Sequence, residues 1–282
     1  MQKDPILSVK DLHVKFSLRG QVLHALRGVS IDLYRGESLA IVGESGSGKS
    51  VLVKNFIGLL DKNGWVDSGS IVYTGFDSNG VDLTTYKTEE EWLRIRGREI
   101  AMVMQDPMTS LNPLRTVGYQ LCEPLKRHQG LTGAAARQKA IELLDDVGIP
   151  QPERRFKQYP HEFSGGMRQR VVIAIAMACN PKVIICDEPT TALDVTIQAQ
   201  VLNLIKELKK KYQLTTIYIT HDLGVVANVA DRVAVMYAGD IVEVGNCAEI
   251  FYDPRHPYTW ALLSSLPQLG VKGEELFSIQ GA

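Results

Sequence analysis

The sequence predicts an α/β fold with a mainly parallel sheet and helices on both of its sides. Two observations carry this. The segment VIICD (183–187) is short, β-branched and almost wholly apolar, as a strand buried on both faces should be, and TTIYIT (215–220) reads as another buried strand. Stretches of helical spacing lie between such segments, and strands alternating with helices imply crossovers over a parallel sheet.

The first 42 residues read as strands with period-two alternation: ILSVKDLHVKF, HALRGVSIDLY and ESLAIVG. The third runs into a glycine-rich turn, after which KSVLVKNFIGLL has helical spacing. GSIVYTG and REIAMVMQ are further short strands, and the middle of the chain is mainly helical. Thr132 is placed to cap a helix over AAARQKAIELLDDV that Gly148 ends, and a second helix follows Ser164. Thr196 to Tyr212 puts Ile197, Val201, Leu204, Ile205 and Leu208 on one stripe. The sequence changes character after about Gly239.

The 282 residues are 45% hydrophobic and 22% charged, ordinary values for a globular core. Thirty-one Lys and Arg against 32 Asp and Glu give a net charge of −1, so bulk attraction to nucleic acid or anionic lipid is not expected. The four cysteines are widely separated, without metal-ligand spacing, and fit reduced thiols in a cytosolic protein. The longest apolar run, Val171 to Cys179, is about half the roughly 20 residues a spanning helix needs. A membrane role is therefore expected to go through a partner.

Three motifs carry the chemistry. Gly43-Glu44-Ser45-Gly46-Ser47-Gly48-Lys49-Ser50 matches the phosphate-loop pattern G-x-x-x-x-G-K-[ST] between an apolar strand and a helix. Its glycines let backbone N–H groups curl around phosphate oxygens, Lys49 would reach the β and γ phosphates, and the Ser50 hydroxyl would hold Mg²⁺. Asp187 and Glu188 end the strand VIICD, where parallel sheets present their ligands. Asp187 suits Mg²⁺ through water and Glu188 suits polarising the attacking water. Neighbouring strand residues point to opposite sides, so both roles need the chain to turn at Glu188, which Pro189 favours. The third motif is Phe163-Ser164-Gly165-Gly166-Met167, a serine and two glycines opening a helix as a second anion site.

This third motif resembles the LSGGQ signature of ABC ATPases, with Phe163 and Met167 in place of the usual Leu and Gln. The resemblance implies a P-loop ATPase core with an antiparallel β subdomain, a helical signature subdomain over about 106–178, and a C-terminal extension over 261–282 beyond an ATPase domain of 1–260. It also implies roles. Gln105, in MVMQDP, matches the glutamine that touches Mg²⁺ and water; Asp194, in Ala192-Leu193-Asp194, lines the partner's site; His221 contacts the γ-phosphate. Phe16 falls where the family places an aromatic ring under the adenine, and in an alternating strand it also reads as core.

The resemblance further implies that Ser164, Gly165 and Gly166 face the nucleotide of a second ATPase subunit, identical or paralogous. ATP would glue the two together and hydrolysis would release them. GESGSGKS, MVMQDPMTSLNP, the stretch from HEFSGG to IQAQ, and above all the tail GDIVEVGNCAEIFYDPRHPYTWALLSSLP resemble ATPases of oligopeptide and dipeptide importers, a group that includes nickel importers. Two transmembrane permease subunits and, indirectly, an extracytoplasmic substrate-binding protein are then the expected partners. The expected place is the cytoplasmic face of the cell membrane. Many relatives continue with a cysteine-rich segment that binds an iron–sulfur cluster; no Cys follows Cys247 here, so that segment is either absent or lost to truncation and no cluster is expected. A soluble ABC ATPase acting on ribosomes or DNA is the competing reading; the single phosphate loop and the lack of sustained heptads weigh against it. The signature helix and His221 weigh against a P-loop kinase or GTPase.

Overall fold

The computed structural model describes residues 4–190 and 193–264, the Pro107 and Met108 side chains apart. The chain runs β1 (Pro5–Leu18), β2 (Gln21–Tyr34), β3 (Ser38–Val42), α1 (Lys49–Phe56), β4 (Gly64–Tyr73), β5 (Val81–Asp82), α2 (Glu89–Leu93), β6 (Ile100–Val103) and α3 (Pro107–Ser110). There follow α4 (Val117–Gln129), α5 (Gly133–Asp146), α6 (Pro152–Arg155), α7 (Gly165–Met177), β7 (Val183–Asp187), α8 (Val195–Tyr212) and β8 (Thr215–Ile219). The chain continues with α9 (Leu223–Val229), β9 (Arg232–Tyr237), β10 (Asp240–Asn246), α10 (Cys247–Tyr252) and α11 (Pro257–Ser264). It divides into two compact units.

One unit takes the residues up to Thr85 and those from Ile217 onward. It holds an antiparallel sheet of order β2-β1-β4-β5, and beside it in sequence the run β10-β9-β3. Alternation sets the antiparallel sheet: Val9, Leu12, Val14, Leu26, Val29 and Ile31 are buried. In the second run β3 and β9 are parallel, with Ile41 beside Ala234 and Val42 beside Val235. Every residue of β3 is buried, as the apolar run Leu39–Val42 suits.

The other unit is Tyr86–Thr216. Its β6 and β7 are parallel neighbours, Val103 standing beside Cys186. Helices α4, α5 and α8 pack around α7, which buries Val171, Val172, Ile173, Ala174 and Met177 on nearly every side. The near-continuous apolar sequence there thus makes a central helix. The boundary between the units falls within β8, all of whose residues are buried.

Three expectations shift at their edges. The helix after the phosphate loop ends at Phe56, because Gly58 takes φ +60 and turns the chain. Thr132 stands at the N-cap of α5 but its side chain makes no capping bond. Helix α8 starts at Val195, capped by Asp194, whose carboxylate accepts from the Ile197 N–H. Of the expected C-terminal extension only 261–264 lie within the described residues, and Ala192 lies outside them. Among the described residues no helix is long and apolar enough to cross a membrane.

Candidate functional site

In the first unit, Gly43–Gly48 joins β3 to α1 as a closed loop around its own lysine. The Lys49 side chain is buried, and its ammonium donates to the Gly43 carbonyl at 2.8 Å, the Glu44 carbonyl at 2.6 Å and the Ser47 hydroxyl at 3.3 Å. A positive charge thus sits inside the curl at the N-terminus of α1, where the helix dipole also favours an anion. The glycines at its two ends have separate reasons. A Cβ on Gly43 would stand 2.1 Å from the Met236 carbonyl oxygen, and one on Gly48, at φ +104, would lie 2.9 Å from Met236 Cε. The β9–β10 turn closes on the loop as well, the Gly239 N–H donating to the Ser47 carbonyl at 3.0 Å. Nothing in the local sequence of that turn marks it as loop-facing.

His221 belongs to the same unit and follows β8 directly. It is exposed, held between Thr220, whose N–H donates to the Ile41 carbonyl at 3.4 Å, and Asp222, which caps α9. Phe16 is only 8% exposed. Its ring fills the space a Cβ on Gly64 would occupy, at 2.6 Å. An edge of the ring thus packs against the Gly64 backbone, as the alternating strand allows.

In the second unit the acidic strand end turns sharply. Strand β7 stops at Asp187, and Glu188 takes φ +45, a left-handed conformation that costs a non-glycine residue of order 1 kcal/mol or more. In an extended strand Glu188 would point opposite to Asp187; the turn at Glu188, which Pro189 led one to expect, breaks that alternation. Because Val103 lies beside Cys186, the residues just past the two strands meet: the Gln105 amide donates to Glu188 Oε2 at 2.8 Å across 83 residues of sequence. Cys186, fully buried one residue before Asp187, has its thiol pushed up to about 12 by burial and by that carboxylate, so it is not a nucleophile.

The signature lies in this unit too. Ser164 caps α7, its hydroxyl accepting from the Met167 N–H at 3.3 Å. A Cβ on Gly166 would stand 2.6 Å from Ile197 Cγ2, and one on Gly165 3.7 Å from Leu193 Cδ2. Gly166 therefore lets α7 lie against the start of α8, next to Asp194, while a Cβ on Gly165 would make only ordinary contact. That carboxylate accepts from the Ile197 N–H at 3.0 Å, a capping role the sequence reading did not anticipate.

Two charged loop ends, a glutamine on a carboxylate and a serine–glycine helix start form a set that comparison with known proteins resolves. Residues 26–191 match the family described as ABC transporter. The chain belongs to that family. Residues 242–282 match a second description, the oligopeptide/dipeptide transporter C-terminal region. Among curated relatives, the oligopeptide transport ATP-binding protein AmiE of Streptococcus pneumoniae is 58% identical over 99% of this chain and 78% of its own length. The oligopeptide transport ATP-binding protein OppD of Bacillus subtilis is 58% identical over 96% and 74%. The dipeptide transport ATP-binding protein DppD of the same organism is 53% identical over 99% and 82%. Solved ABC structures superpose well. An ATP-binding cassette described as a dimer in a post-hydrolysis state with ADP and Pi is 27% identical, with a TM-score of 0.73 over 86% of this chain and 98% of that one. The cbiO1 subunit from Clostridium perfringens is 31% identical, with a TM-score of 0.74 over 89% and 92%. As an ABC ATPase the chain binds and hydrolyses ATP.

Proposed function

We propose that this ABC ATPase energises an importer of oligopeptides or dipeptides, docked through two permease subunits at the cytoplasmic face of the membrane. The match of residues 242–282 to the C-terminal region of such transporters carries this reading, and the relatives named above support it. In it, a second ATPase subunit completes each nucleotide site, and an extracytoplasmic binding protein delivers the peptide.

The residue roles belong to the same proposal. Gly43 to Ser50 hold the phosphates, with Lys49 on the β and γ groups; Glu44, Ser45, Gly46, Ser47 and Gly48 contribute the loop's backbone. Glu188 polarises the attacking water, Gln105 orients the Glu188 carboxylate and the water, and His221 contacts the γ-phosphate. Ser164, Gly165 and Gly166 serve the partner's nucleotide, and Asp194 lines the partner's site. Phe16 stacks under the adenine.

The donors fit Mg²⁺. Among the described residues no group of three or more His, Cys, Asp or Glu could hold a metal, and Mg²⁺ bound with a nucleotide needs only one or two carboxylates, with phosphates, water and neutral oxygens completing its shell. The Ser50 hydroxyl, the Asp187 carboxylate and the Gln105 side-chain oxygen are hard donors of that kind. When bound, the ion would offset the phosphate charge.

The test is affinity purification of this chain from membranes of its own cell. Two polytopic subunits and a second ATPase chain should accompany it, and uptake of labelled peptides should fall when its gene is silenced. Recovery with soluble partners alone, or normal peptide uptake, would overturn the proposal.

A further inference from the structure

The C-terminal region reaches back to the phosphate loop. Tyr258, in the first turn of α11, is buried, and its hydroxyl oxygen accepts a hydrogen bond from the Glu44 backbone N–H at 3.1 Å. Its ring lies 4.4 Å, centroid to centroid, from that of Tyr237 at the end of β9. The residue before Tyr237, Met236, presents the carbonyl that excludes any side chain at position 43. Two groups therefore grip the start of the loop from different directions. Lys49 takes the Gly43 and Glu44 carbonyls from within, and Tyr258 takes the Glu44 N–H.

The segment carrying Tyr258 is itself anchored. Glu243, on β10, accepts from the Arg255 N–H at 2.7 Å through one oxygen and from the His256 N–H at 3.0 Å through the other. The Tyr258 N–H donates to His256 Nδ1 at 3.1 Å. A carboxylate receiving two backbone N–H groups is a strong, directional hold, and it fixes where α11 begins. Tyr258 lies outside the span that matches the ABC transporter family and inside the C-terminal match. The contact thus joins an element of this branch to the loop common to all.

We propose that Tyr258 is a positioning residue for nucleotide binding, through which the C-terminal region holds the Gly43–Glu44 end of the phosphate loop in its anion-ready shape. Burial raises the phenol's pKa, the Glu44 N–H working in the opposite direction, so the hydroxyl is neutral at physiological pH and its oxygen stays available to that N–H. Without it the Glu44 N–H loses its partner, and the loop gains conformations that bind phosphate less well.

This inference rests on the phosphate-loop reading above, and the test separates the two. In the full chain, Tyr258→Phe keeps the ring against Tyr237 and removes only the acceptor. MgATP dissociation constants, measured by nucleotide titration, should rise roughly three- to tenfold, the scale of one lost hydrogen bond. Turnover at saturating ATP and the melting temperature of the nucleotide-free protein should change little, whereas a merely structural role would lower the melting temperature and leave affinity alone. Lys49→Ala run in parallel should weaken binding further. Normal affinity in Tyr258→Phe with weakened Lys49→Ala overturns the role of Tyr258; normal affinity in both overturns the phosphate-loop reading as well. Amide exchange of the unsubstituted protein gives an independent check: Glu44 should be protected, and exchange at the rate of an open amide would also overturn the role of Tyr258.

Discussion

Glu188 shows how backbone and side chain divide the work at the scale of one residue. Its left-handed φ of +45 turns its carboxylate away from the line of β7, and the Gln105 amide at 2.8 Å then fixes that carboxylate's direction. Glu188→Gln keeps the length and the backbone and removes the proton acceptor. Steady-state hydrolysis should fall by roughly 10² or more, the scale of a positioned base, while ATP binding persists. Size-exclusion chromatography with ATP should show the variant as a trapped dimer. Unchanged turnover would remove Glu188 as the base. The two carboxylates were legible in the sequence as a pair at a strand end, and Pro189 hinted at the turn. The partnership with Gln105 was not legible, because only the β6–β7 register brings together positions so distant in sequence.

Among the elements, the junction of α7 and α8 is where packing and chemistry coincide. Gly166 leaves no room for a methyl group, since Ile197 Cγ2 would be 2.6 Å away, and a β-branched side chain on a helix has little freedom to yield. Gly166→Ala should therefore cost about 1–3 kcal/mol, the range for overpacking. Adding Ile197→Ala should recover part of that, so the double substitution costs less than the sum of the two. Chemical denaturation of the three variants measures it, and strict additivity would show that the two positions do not touch. The signature serine and glycines stood out in the sequence as an anion-binding helix start. That the second glycine is also demanded by α8 came from the packing alone, as did the capping of α8 by Asp194.

Over the whole molecule, hydrogen-bonded carboxylates give each unit its own dependence on pH. In the second unit Asp146 accepts from Lys211 at 2.6 Å and from the Tyr212 hydroxyl. Burial opposes its ionisation, and these hydrogen bonds outweigh burial and hold its carboxyl below the usual range. In the first unit the balance at Glu243 is the same: burial is outweighed by hydrogen bonds from Thr259, Arg255 and His256. Each acid has a folded value below its unfolded one of about 4, so its contribution is present above that pH and is lost as pH falls through the folded value. Lys211 is raised chiefly by its bond to Asp146; its contribution is present below about 10.4 and is lost as pH rises through the raised value. Melting temperature against pH should fall on both sides of this window, and Asp146→Asn should flatten both limbs. An unaltered profile in that variant would show that the pair contributes nothing measurable.

By itself the sequence determined the α/β class, the phosphate loop between β3 and α1, the acidic end of β7, the signature helix and the resemblance to peptide-importer ATPases. Each of these is written in contiguous residues, where strand burial, glycine freedom and helix polarity act over a few positions. Tertiary structure alone decided which distant residues meet. It set Gln105 on Glu188, Gly166 under Ile197, the ring of Phe16 against Gly64 and the hydroxyl of Tyr258 on the Glu44 N–H. Such meetings depend on strand register and helix packing, which are settled by the sum of many apolar contacts and leave no mark in the local pattern of either partner.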